Sequence, residues 1–87
     1  MEDKIFVKGK YTTIEISRDE FLRLLKELKE RTNGIDLLEA FEIMQDFPDV
    51  ERFKVLRDIY ILELSGAFGK DSIPDKPINI EELYRQI

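Results

Sequence analysis

The chain has 87 residues, of which 43% are hydrophobic and 38% are charged, a composition typical of one small folded domain. It contains no Cys or His, which excludes disulfides, thiol catalysis, Ser-His-Asp triads and nearly all zinc or haem sites. We therefore expect no cofactor and no metal ion. Fourteen basic and nineteen acidic side chains give a formal net charge of −5, which disfavours nucleic acid because Lys and Arg bind its phosphates.

Residues 4–16 predict a β-hairpin, since two segments rich in β-branched and aromatic residues flank a short turn at 8–10. The second segment begins at Tyr11, and alternation places Ile14 and Ile16 on one face. A two-stranded hairpin is marginally stable unless it packs on helices or gains a strand. Its open edges admit pairing with a second copy, so the sequence leaves a homodimer and a monomer as alternatives.

Four helices are predicted after the hairpin, from capping signals and from apolar stripes at helical spacing. They extend from Ser17 to Asn33-Gly34, from Asp36 to about Phe47, from about Val50 to Phe68, and from Asn79 onwards, the last after a loop at 70–79. The third helix is apolar on more than one face. Such a helix is either the central element of the core or partly given to a partner.

The predicted architecture is a small single α+β domain, an N-terminal β-hairpin packed on three to four helices. The domain covers residues 1–87, with the hairpin at 4–16, a helical core at 17–69 and a loop with a short C-terminal helix at 70–87. The charged first residues are not followed by a secretory signal, and no apolar run approaches the roughly 20 residues of a membrane span. We therefore expect a cytoplasmic protein without membrane contact.

Acidic side chains are concentrated in one part of the chain. Residues 35–51 carry −6 with no basic side chain, while the other residues balance at +1, fourteen basic against thirteen acidic. Four of these acids recur every three or four residues and form a line on one helical face: Asp36, Glu39, Glu42 and Asp46. This line predicts docking onto a basic surface of a partner protein, and an ordinary solvated helix face is the alternative.

Three further residues are candidate contacts with a partner. Asp49 and Glu51 extend the acidic line, and Tyr11 lies on the hairpin. The acids from Asp46 to Glu51 also admit a cation site, although helix capping across Pro48 explains the same residues and the pattern of an EF-hand loop is missing. Because the sequence lacks the motifs of nucleotide binding, acyl transfer and metalloproteases, we expect no enzymatic activity.

Residues 12–17, the Leu-rich helix after them, the Asn-Gly stop and the next helix resemble the ribbon-helix-helix regulators, over about residues 11–47. The resemblance implies a dimer whose paired strands enter the major groove of DNA. The base-reading residues it implies are Thr13 and Glu15, with Tyr11 beside them. That family holds a phosphate at the start of the second helix, where this chain carries Asp36, whose carboxylate would repel it.

The sequence favours a non-enzymatic interaction protein, an acidic inhibitor or modulator that binds a partner protein with a basic surface. In size and charge, the chain is similar to phage and plasmid proteins that inhibit host or defence factors. The alternative is the dimeric DNA-binding transcriptional regulator implied by the ribbon-helix-helix resemblance. A third hypothesis is a structural subunit that uses the apolar surplus of the third helix, and it predicts aggregation of the chain expressed alone.

Overall fold

The computed structural model describes residues 4–66 and 79–87, where it shows the predicted α+β architecture of a hairpin followed by four helices. The strands are β1 Lys4–Lys8 and β2 Thr13–Ser17. The helices are α1 Arg18–Arg31, α2 Leu37–Met44, α3 Lys54–Ser65 and α4 Ile80–Gln86, and a 3-10 helix at Val50–Phe53 precedes α3. Most of the predicted loop at 70–79, and the predicted end of the third helix at 67–68, lie outside the described residues.

The hairpin packs one face on the helices. Its antiparallel register places Ile5 opposite Ile16 and Val7 opposite Ile14. Ile5 and Val7 are buried, and Ile14 and Ile16 are partly buried against the same core. The predicted alternation is therefore confirmed, and the helices supply the support that two strands need.

The turn of the hairpin lies later than predicted. Gly9 donates its N–H to the carbonyl of Thr12 at 2.7 Å, so the chain reverses at Lys10 and Tyr11. Tyr11 is therefore part of the turn, and its predicted place in the second strand was wrong. The reason is that the strand pairing continues to Lys8 and Thr13, which leaves residues 9–12 for the turn. A Cβ on Gly9 would lie 2.9 Å from Cδ2 of Leu62, so a larger residue there would have to displace this side chain.

Helix α1 begins and ends where the sequence predicts. The Ser17 hydroxyl accepts a hydrogen bond from the N–H of Glu20 at 3.2 Å, the N-cap half of the capping box. The chain leaves the helix through Asn33 and Gly34, both with positive φ. Its apolar stripe is buried in the core and consists of Phe21, Leu24, Leu25 and Leu28.

Helix α2 is shorter than predicted, since it ends at Met44 instead of Phe47. Asp36 occupies the N-cap position, but its side chain makes no capping hydrogen bond. The buried stripe is the predicted one and consists of Leu37, Ala40, Phe41 and Met44. The acids of this segment are therefore placed on the opposite side of the helix.

The predicted third helix is divided in two by a change of helix type. A 3-10 helix at Val50–Phe53 follows the turn at Pro48, and the α-helix begins only at Lys54. Helix α3 ends at Gly66, whose φ of 67° is the left-handed conformation that glycine favours. Phe53, Leu56 and Ile59 are fully buried. The segment predicted as the third helix is therefore central to the core, which is the first of the two alternatives that the sequence left open.

Helix α4 is held on the core by polar contacts as well as by burial. Asn79 accepts a hydrogen bond from the N–H of Glu82 at 3.1 Å, which confirms the predicted cap. Ile80 and Tyr84 are buried. Lys29 of α1 donates from Nζ to the carbonyl of Tyr84 at 2.8 Å, where the last carbonyls of a helix lack intrahelical partners.

Candidate interaction surface

The exposed side of α2 is lined with carboxylates. Because the helix buries its apolar stripe on the core, its acidic side chains are exposed on the other side. We call this group the acidic face, and it consists of Asp36, Glu39, Glu42 and Asp46. No basic side chain of residues 4–66 or 79–87 forms an ion pair or a hydrogen bond with any of the four. Their negative charge is therefore uncompensated within that part of the chain.

The other two predicted acids, Asp49 and Glu51, are paired inside the chain. Asp49 accepts hydrogen bonds from both terminal nitrogens of Arg31, at 2.7 and 3.1 Å, and one from Arg52 at 3.3 Å. The bonds from Arg31 are the main cause that lowers the pKa of Asp49 below its ordinary value. Glu51 lies 2.9 Å from Nζ of Lys54. The predicted line of six acids therefore consists of four outward carboxylates and two with cationic partners.

A network of four charged side chains joins the end of α1 to the 3-10 helix. We call it the charge network, and it consists of Glu27, Arg31, Asp49 and Arg52. Glu27 lies 2.9 Å from Arg31 and 3.1 Å from Arg52. The guanidinium group of Arg31 also lies 5.2 and 5.4 Å from the ring centroids of Phe47 and Phe53, within cation–π range. The network therefore fixes the chain after α2 against α1.

Tyr11 lies at the tip of the hairpin with 89% of its surface exposed. Nζ of Lys10 lies 5.4 Å from the centroid of its ring. Next to this tip, Gly9 contacts Leu62 of α3, whereas the acidic face lies on α2. Tyr11 and the acidic face therefore belong to different elements, and no described contact joins them.

Helices α2 and α3 expose aliphatic side chains that the sequence analysis did not single out by position. Leu38 is 55% exposed, Ile61 51% and Leu64 65%. We call these three residues the apolar patch. The apolar surplus of the third helix was visible in the sequence, but which of its residues stay outside the core depends on how the helix is rotated against its neighbours. Exposed aliphatic side chains in a group are typical of a binding surface.

A cluster of one tyrosine and two carboxylates anchors the start of α4. Tyr60 donates its hydroxyl to Glu81 at 2.9 Å, and burial, with Glu81 next, raises the pKa of Tyr60 to about 12. Glu63 accepts the N–H of Ile80 at 3.2 Å. Burial raises the pKa of Glu63 above its ordinary value, and the bond from Ile80 opposes this. The Tyr60 hydroxyl therefore stays protonated at neutral pH and donates the hydrogen bond that holds the start of α4.

Two of the residues implied by the ribbon-helix-helix resemblance, Thr13 and Glu15, lie on the outer face of the hairpin, and the third, Tyr11, lies at its tip. β2 is paired along its length with β1 of the same chain. Glu15 lies 3.0 Å from Nζ of Lys4, and Thr13 is exposed. Asp36 stands at the start of α2, as the sequence indicated. The resemblance to the regulators stays a prediction.

The described residues form no group of three acidic, His or Cys side chains able to hold a metal ion. None of their helices is both long enough and apolar enough to cross a membrane. Comparisons with protein-family models, with curated proteins and with solved structures found no match to the chain.

Proposed function

We propose that the chain is a non-enzymatic interaction protein that binds a partner protein through the acidic face. The observation that supports this proposal is the contrast among neighbouring acids, since Asp49 is paired within the chain and the four carboxylates of the acidic face are not. Unpaired carboxylates about one turn apart create a line of negative potential along α2, which is about 12 Å long. Lys and Arg side chains on the partner are the complementary groups.

Such binding covers the basic surface of the partner, so we propose the role of an inhibitor or modulator acting in the cytoplasm. Carboxylates on a rigid helix compete for the same cations that would otherwise contact an acidic or phosphorylated ligand. Electrostatic complementarity mainly increases the association rate and the specificity, and it weakens with ionic strength. We therefore expect rapid, salt-sensitive association.

The proposal is tested with two double variants of equal net charge. Glu39→Lys with Glu42→Lys reverses half of the acidic face, while Asp19→Lys with Glu30→Lys reverses two exposed acids of α1. Each pair adds +4 to the wild-type charge of −5. In a titration with a Lys-rich peptide at low salt, the first variant is expected to bind at least about tenfold more weakly than wild type, and the second to stay close to wild type.

Far-UV circular dichroism of both variants verifies that the fold is retained. An equal loss of affinity in the two variants would mean that net charge alone governs binding, and the acidic face would then be removed from the proposal. Unchanged affinity in the Glu39→Lys, Glu42→Lys variant would have the same consequence.

A further inference from the structure

The apolar patch flanks a ring contact between α2 and α3. The rings of Phe41 and Tyr60 pack with their centroids 5.4 Å apart and join the two helices. Leu38 precedes Phe41 by about one turn, and Leu64 follows Tyr60 by about one turn, so both lie beside this ring pair. Ile61 lies about one turn before Leu64 and extends the surface along α3. The two rings are buried and these three aliphatic side chains are exposed, so the side chains next to the ring contact remain accessible to a partner.

Carboxylates of the acidic face border this patch on α2. Glu42 lies one turn after Leu38 on α2, and Asp46 lies two residues beyond the end of this helix, so an exposed apolar side chain is followed by two unpaired acids. A second copy of the chain seated here by two-fold symmetry would bring two acidic faces close together, and like charges oppose that association. The complementary occupant carries apolar side chains flanked by Lys or Arg.

We propose that the apolar patch, together with Glu42 and Asp46, docks an amphipathic basic helix of the partner protein. This inference rests on the proposed function and specifies the partner element. A helix lying along α2 has the same rise per turn, so its apolar and basic side chains stay in register with Leu38 and Glu42, and a further basic side chain pairs with Asp46 beyond the end of α2. The apolar anchors supply affinity at the centre of the contact, and the charge pairs at its edge set orientation.

The test uses two synthetic 18-residue peptides of identical Leu and Lys content, measured by fluorescence anisotropy at low salt. One places its leucines on a single helical face, and the other alternates Leu and Lys, which removes helical amphipathicity. The single variants Leu38→Ser and Leu64→Ser alter the patch. Ile87→Ser is the matched control, because it removes an exposed aliphatic side chain at the end of α4.

Wild type is expected to bind the amphipathic peptide at least about tenfold more tightly than the alternating peptide. Leu38→Ser and Leu64→Ser should each weaken binding of the amphipathic peptide by at least about fivefold, and Ile87→Ser should leave it unchanged. Amide shifts in a ¹⁵N spectrum should then map to α2 and α3.

Wild-type affinity in both patch variants would overturn the inference, as would equal affinity of wild type for the two peptides. The proposed function survives either result if reversal of Glu39 and Glu42 still weakens binding of the Lys-rich peptide more than reversal of Asp19 and Glu30 does. It fails if the two reversals have equal effects or if reversal of Glu39 and Glu42 has no effect. Light scattering tests whether a second copy of the chain occupies the patch instead. A wild-type dimer that Leu64→Ser converts to a monomer would assign the patch to a second copy and overturn the inference.

Discussion

The charge network and the acidic face each contain an aspartate, a few positions apart in the sequence, but only the aspartate of the charge network has basic partners within the described part of the chain. Asp49 contacts two guanidinium groups, with N–O distances from 2.7 to 3.3 Å. Asp46, three residues earlier, has no cationic partner among the described residues. The difference follows from the fold, because Asp49 precedes the 3-10 helix that packs at the end of α1, where Arg31 lies, whereas Asp46 follows α2 on its exposed side.

A carboxylate that the fold uses internally is not available to a partner. The two regions therefore make opposite predictions, since substitutions in the charge network should change stability and substitutions in the acidic face should change binding. A long run of acids in a sequence contains both kinds of residue, and only the tertiary contacts separate them.

The largest effect is expected beneath the charge network, at Phe53. Its ring is fully buried and lies 5.4 and 5.7 Å below the guanidinium groups of Arg31 and Arg52. Phe53→Ala should lower the free energy of unfolding by about 3–5 kcal/mol, because it leaves a cavity under both cations. Ile61→Ala, on the exposed side of α3, should change it by less than about 0.5 kcal/mol. Urea denaturation measures both, and similar losses would contradict the burial of Phe53 and the exposure of Ile61.

Asp49→Asn should destabilise the fold and change its pH dependence. The pKa of Asp49 is lowered in the folded state, so its stabilising contribution is present above the unfolded value, near 3.8, and is lost as the pH falls through the folded value. The variant lacks that contribution, and its urea midpoint should fall less steeply than the wild-type midpoint below about pH 4. Asp46→Asn is the control and should reproduce the wild-type profile. Parallel acid profiles for wild type and Asp49→Asn would contradict the pairing with Arg31.

The sequence predicted local features because the interacting residues are close along the chain. The Ser17 cap of α1 and the Asn79 cap of α4 each involve a residue three positions later, and both are present. The hairpin turn was placed too early because Lys8, which the sequence pattern assigned to the turn, pairs with Thr13 as the last pair of the strand ladder. A helical pattern also cannot distinguish an α-helix from the short 3-10 segment at Val50–Phe53.

The candidate site was predicted in part for the same reason. Helical periodicity correctly placed the acids of α2 opposite its buried stripe. The pairing of Asp49 with Arg31 joins residues 18 positions apart and depends on the packing of two elements, which a pattern does not contain. The exposure of Leu38 and Leu64 likewise depends on packing, here the contact between Phe41 and Tyr60.

The comparison between charged side chains with and without partners also applies to the basic residue Arg57. Unlike the guanidinium group of Arg31, its Nε is buried and has no hydrogen-bond acceptor among the described residues. Arg57→Met keeps an unbranched side chain and removes an unsatisfied donor, so the free energy of unfolding should stay the same or rise by up to about 1 kcal/mol. Arg31→Met should lower it, because Asp49 and Glu27 then lose a partner. A clear loss of stability in Arg57→Met would indicate an acceptor for this side chain.

The smallest effect is expected in the acidic face, where Glu42 lies about one turn from Glu39 on α2. Like charges at this spacing repel, so Glu42→Gln should raise the free energy of unfolding by about 0.2–0.5 kcal/mol at low salt, and 1 M NaCl should abolish the gain. The same substitution should weaken binding of the Lys-rich peptide. A carboxylate that slightly destabilises its own helix and strengthens a complex is explained by binding, because folding alone does not favour it. A loss of stability in Glu42→Gln would instead reveal an internal partner and would place Glu42 with Asp49 among the acids that the fold uses for itself.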